Sequence, residues 1–124
     1  MAKQRVLVVG LGNMGMSHAL AYTRNSGFEV VGVCTRHIDN VKLPEALAGA
    51  KKFTDFDTAL KDLKPDIVSI NTLPDTHAEF AIKAMEAGAH VFVEKPLADS
   101  VENAEKVVET ARRTGKKLVV GYIL

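Results

Sequence analysis

Val6-Leu7-Val8-Val9-Gly10-Leu11-Gly12-Asn13-Met14-Gly15 is the stretch on which the reading of this chain turns. An apolar run ends in a G-x-G-x-x-G pattern and leads into a segment able to form a helix, to about Asn25. The pattern carries meaning only in such a strand–turn–helix setting. Gly10 answers the demand for a tight turn out of the strand. Gly12 lets a pyrophosphate approach bare backbone, and Gly15 lets the helix pack closely on the sheet. Free N–H groups at the helix start, over Gly12, Asn13 and Met14, then face the phosphates together with the positive end of the helix dipole. The alternative at this point is a glycine-rich turn that binds nothing.

Strands and helices alternate along the whole chain. Arg5–Val9 reads as a strand buried on both faces, Asn13 to about Asn25 as a helix stopped before Gly27, and Phe28–Cys34 as the second strand. A short helix within Pro44–Ala48 precedes a short strand, Ala50–Phe53. Thr54-Asp55-Phe56-Asp57 has capping-box spacing, and Phe56, Ala59, Leu60 and Leu63 form the apolar stripe of the helix that follows, which Pro65 ends. Asp66–Asn71 is the fourth strand. The loop Thr72–Asp75 leads to a second capping box, Thr76-His77-Ala78-Glu79, and a helix to about Ala87. His90–Val93 is the fifth strand. Asp99 or Ser100 caps a helix with Val101, Ala104, Val107, Val108 and Ala111 on one face, ending near Gly115. Leu118–Leu124 is the sixth strand. The fold class is therefore α/β: a doubly wound parallel sheet of order 3-2-1-4-5-6, with its switch point between strands one and four.

A chain of 124 residues has room for one domain with a real core. Its formal net charge of +1 and the lack of a basic face or charge run exclude nucleic acid and anionic membrane surfaces as expected partners. No apolar run is long enough to cross a bilayer. One cysteine, Cys34, rules out an internal disulfide framework, and a cytoplasmic setting is expected. The apolar end at Leu118–Leu124 leads us to expect further chain beyond it, with residues 1–124 as the dinucleotide-binding first domain of a longer protein.

In a doubly wound sheet, ligands bind outside the carboxyl ends of the strands. Four groups fall there: the glycine turn, Thr35-Arg36, Asn71 to His77, and Glu94-Lys95-Pro96. Thr35 stands where an acid would hold the ribose 2′-hydroxyl of NAD, about 20 residues past the last glycine. A hydroxyl followed by the Arg36 guanidinium suits a 2′-phosphate, so NADP(H) is favoured over NAD(H), with NAD(H) still usable. Asn71, Thr72 and Leu73 reach the nicotinamide ribose, and His77, in a first helical turn, is placed on the ligand side. A turn and a capping box are the competing explanation. A charged pair directly ending a buried strand is costly without a use or a partner. Lys95 could therefore stabilise developing alkoxide charge on a substrate, or Glu94 and Lys95 could form a surface pair with Pro96 ending the strand. His18 and His90 read as structural, and Cys34 as a small buried residue. The chain shows no cysteine–histidine metal spacing.

With these residues in place the chain resembles the N-terminal domain of the glucose-fructose oxidoreductase / inositol dehydrogenase / MocA-like family. The resemblance rests on Gly10-x-Gly12-x-x-Gly15, the Thr72-Leu73-Pro74-Asp75-Thr76-His77 loop, Glu94-Lys95-Pro96 and Gly121-Tyr122. It implies an NAD(P)-dependent oxidoreductase acting on a sugar, polyol or related hydroxy compound. Lys95 is then the active-site lysine, and the Lys95–Pro96 bond is cis. A second domain, outside this chain, would carry further catalytic residues and the surface for a homo-oligomer. The rival reading is a non-catalytic NAD(P) sensor.

Overall fold

The apolar runs become strands β1 (Gln4–Val9), β2 (Phe28–Cys34), β3 (Lys51–Phe53), β4 (Ile67–Ile70), β5 (His90–Val93) and β6 (Leu118–Val120). In the computed structural model, which describes residues 3–121 (backbone only at Asn13 and Asn40), they form one parallel sheet ordered β3-β2-β1-β4-β5-β6. This is the expected order, with the switch point between β1 and β4. Met1 and Ala2, and Tyr122, Ile123 and Leu124, read as extending the last strand, lie outside the described residues.

Side chains alternate across a strand, so the sheet has two apolar faces. Leu7, Val9, Val68 and Ile70 belong to the core covered by α2 (Phe56–Leu63), α3 (Pro74–Glu86) and α4 (Val101–Thr114). Val6, Val8 and Val33 belong to the core under α1 (Asn13–Thr23) and two short 3-10 turns, Ile38–Asn40 and Glu45–Leu47. Right-handed crossovers give this division: connections running toward β3 lie on one face, and those running toward β6 on the other.

The register fixes what the sheet presents. Val9 pairs with Cys34 and with Ile70, Cys34 with Phe53, Ile70 with Val93, and Val93 with Val120. The next residue of each strand therefore stands in one row along the carboxyl edge: Thr54, Thr35, Gly10, Asn71, Glu94 and Gly121.

Three local readings are corrected. The capping residue of α2 is Asp55, whose carboxylate accepts from Thr58 N at 2.9 Å, rather than Thr54. The Thr76–Glu79 box does not start α3. That helix begins at Pro74, with Leu73 as its N-cap, because the fixed φ of proline and its missing N–H suit the first helical position. On α4 the expected stripe is only partly buried. Val107 is fully buried and Thr110 nearly so, while Val101 and Val108 are exposed, because the helix lies at the margin of the sheet. Ser100, one of the two expected caps, accepts from Asn103 N at 3.1 Å.

Candidate dinucleotide and active site

The turn after β1 is built by close backbone contacts. Gly10 adopts φ +84°, and a Cβ there would lie 2.6 Å from the Asn71 carbonyl oxygen. A Cβ on Gly15 would lie 1.9 Å from the Gly10 carbonyl oxygen, so this glycine seats α1 against the turn itself. Gly12 differs. It is the N-cap of α1, in extended conformation, and among the described residues beyond its chain neighbours no atom lies within 4 Å of where its Cβ would be. No side chain caps the helix start and no acid occupies its first turn. Open space above free N–H groups is what a pyrophosphate needs.

From this turn a cleft of about 720 Å³ runs over the ends of β1, β2 and β4. Its walls include Gly10, Gly12, Thr35, Arg36, Thr72 and Leu73 of the expected site residues. Leu73 is 72% exposed and forms an apolar lip. Among the described residues Arg36 makes no ion pair, and its guanidinium is exposed. Sequence reasoning missed the outer wall, made by Thr54–Asp57 after β3 and by Glu79, Phe80 and Lys83 of α3. Lys83 is committed to Asp57, at 3.1 Å, and to Glu79. Asn13, Met14 and Gly15 lie beside the cleft in α1; Met14 is 41% exposed.

Cys34 also lines the cleft but is 3% exposed. Burial first, and the Asp55 carboxylate second, push its thiol up to about 11. A thiol that stays protonated is a poor nucleophile. Alkylation at neutral pH should accordingly be slow in the native protein and rapid in denaturant; equal rates in the two states would contradict this placement.

Asn71 stands at the switch point. Its amide Nδ2 donates to Ser69 O at 3.2 Å and Ser69 Oγ at 3.3 Å, while Oδ1 is buried with no partner among the described residues. A buried acceptor left free is uncommon and calls for a donor.

Glu94, Lys95 and Pro96 follow β5 and are not part of the cleft wall; they stand farther along the same edge. Glu94 does not pair with Lys95. Its Oε1 meets His18 Nε2 of α1, whose ring also packs on Phe92 with centroids 5.0 Å apart. Lys95 is exposed and makes no ion pair among the described residues. The Lys95–Pro96 bond is cis. His77, read as ligand-facing, is 1% exposed. Its Nδ1 faces Pro96 O at 2.7 Å and its Nε2 faces Thr72 O at 2.9 Å. The earlier start of α3 explains this, since it turns His77 inward beneath the two loops. His18, read as structural, is the partner of Glu94.

Residues 4–122 match the Gfo/Idh/MocA oxidoreductase family in its NAD-binding Rossmann fold. The chain belongs to this family. It is 37% identical to glycosyl hydrolase family 109 protein 2 of Akkermansia muciniphila, over 90% of this chain and 26% of that protein. It is 34% identical to D-glucoside 3-dehydrogenase of Escherichia coli, over 95% of this chain and 34% of that protein. Among solved structures, the WlbA dehydrogenase of Bordetella pertussis, in complex with NADH and UDP-GlcNAcA, superposes with a TM-score of 0.88 at 28% identity. That match covers 97% of this chain and 37% of the other. The chain spans roughly a quarter to a third of the length of these two curated relatives. Residues 4–122 thus form this family's NAD-binding Rossmann fold. Among the described residues, no helix is long and apolar enough to cross a membrane, and no group of three or more His, Cys, Asp or Glu side chains could hold a metal ion.

Proposed function

We propose that this domain holds NAD(P) for hydride exchange with a sugar, polyol or related hydroxy compound, read by a second, substrate-binding part outside these residues. The observation that carries the reading is the single row of strand ends. Thr35, Gly10, Asn71 and Glu94 follow paired residues of four neighbouring strands, so one extended ligand can touch all of them. The names of the two curated relatives point to sugar substrates.

In this reading the pyrophosphate lies over Gly12, Asn13 and Met14. Thr35 and Arg36 take the adenosine ribose. Thr72, Leu73 and Asn71 take the nicotinamide ribose. A bound nicotinamide ring accepts or returns hydride. Lys95 donates a hydrogen bond to the substrate oxygen and steadies the negative charge that grows there. Glu94 and Pro96 hold Lys95 at that end.

We also propose a preference for NADP(H). Its support is the absence of a carboxylate at position 35 and the Arg36 guanidinium beside it on the cleft wall, which makes no ion pair among the described residues. A hydrogen bond to a charged group contributes about 1.5–3 kcal/mol. NADPH should therefore bind at least about tenfold more tightly than NADH, and Arg36→Ala should remove that difference while sparing NADH. Fluorescence titration with each cofactor checks this; tighter binding of NADH contradicts it.

A further inference from the structure

We propose that His18 and His77 form a two-sided clamp that sets the position of Lys95. The inference rests on the reading of Lys95 given above. Lys95 is exposed and follows directly on β5, in a loop that stays irregular until α4 begins at Val101. A lysine stem has many rotamers, and an irregular loop does little to limit them. Order at Lys95 has to come from its two chain neighbours. Each of them is held by an imidazole, and the two imidazoles come from opposite layers of the fold. His18, on the α1 side of the sheet, takes the Glu94 carboxylate. His77, on the α3 side, faces the Pro96 carbonyl at 2.7 Å.

Each histidine also ties Lys95 to the dinucleotide site. His18 lies on the same helix whose first turn meets the pyrophosphate, about 9 Å along its axis from Gly12 at 1.5 Å per residue. The other nitrogen of His77 faces the carbonyl of Thr72, a cleft-wall residue. A neutral imidazole carries one N–H and donates to one of these carbonyls; the imidazolium donates to both. A ring that donates to both carbonyls ties the loop after β4 to the loop after β5, and one that donates to Pro96 O alone still holds the loop after β5. His18 and His77 are thus positioning residues. They touch neither cofactor nor substrate, and act through Glu94 and Pro96.

Acylation of Lys95, followed by mass spectrometry in the presence of NAD+ or ADP-ribose, tests the clamp. ADP-ribose fills the glycine turn but lacks the nicotinamide. At about ten times its Kd, NAD+ should slow modification of Lys95 by about tenfold in the native chain, and ADP-ribose should not. In His18→Phe the affinity for ADP-ribose should hold, and in both His18→Phe and His77→Phe protection of Lys95 by saturating NAD+ is lost. His18→Gln, which returns an N–H to Glu94, should recover it. Should His77→Phe fail to fold, His18→Phe decides, since its ring is already part-exposed at 24%. Full protection in the phenylalanine variants overturns the clamp and leaves the site reading standing. Failure of NAD+ to protect Lys95 in the native chain overturns both.

Discussion

Gly12→Val should leave the fold standing and weaken dinucleotide binding by at least about 100-fold, equivalent to about 2.7 kcal/mol. The three glycines of the turn differ in what a side chain would meet. At Gly15 a Cβ falls 1.9 Å from the Gly10 carbonyl oxygen, and at Gly10 it falls 2.6 Å from the Asn71 oxygen, at positive φ. Substitutions there disturb the turn, so lost binding would say nothing about the ligand. At Gly12 the backbone is extended, φ −69° and ψ −169°, and the space for a side chain is open. The cost to the fold is that of a poorer N-cap, about 1 kcal/mol. A valine there occupies the place proposed for the pyrophosphate and covers the N–H groups that would meet it. Thermal unfolding measured beside an NADH titration separates the two effects. Binding retained by Gly12→Val would move the dinucleotide away from the turn.

The second large effect concerns Lys95. In the protein that includes the substrate-binding part, Lys95→Ala should lower kcat by about 10²–10³-fold, the range found when one donor to a developing oxyanion is removed. Dinucleotide affinity should hardly change, because Lys95 is not part of the cleft wall. The competing reading, a surface Lys–Glu pair, loses its partner in the structure, where Glu94 is taken by His18. Steady-state kinetics with separate cofactor titration reads both quantities. Unchanged turnover would make Lys95 a surface residue, and a native protein with no turnover to lose would be a dinucleotide sensor.

The sheet was legible because its signals are local and repeated. Each apolar run is followed by a helix and a short connection, and handedness then leaves few orders open. The row of strand ends was legible for the same reason, since parallel strands put Thr35, Asn71 and Glu94 on the edge that holds the glycine turn. Directions of single side chains were not. His77 was turned inward by a three-residue shift of the α3 start, where Pro74 outcompeted a capping box of plausible spacing. The His18–Glu94 pair joins residues 76 positions apart, and spacing along the chain carries no sign of such a contact. The outer wall of the cleft escaped notice because Thr54–Asp57 reads as a helix start, and only the β2–β3 pairing brings it beside Thr35. The half-exposed stripe of α4 shows the same limit. Periodicity marks which residues share a face, while the neighbours decide how much of that face is covered.

The central claim is that one extended dinucleotide lies along the row of strand ends, phosphates at Gly12 and nicotinamide toward Lys95. A 1H–15N NMR titration of the chain with NAD+, repeated with ADP-ribose, tests it most directly. Both ligands should shift the backbone amides of Gly12, Asn13, Met14, Gly15 and Thr35, and NAD+ alone should also shift those of Glu94 and Lys95. Saturation by both ligands with no shift in the glycine turn, or identical shifts at Lys95 from both, would contradict it.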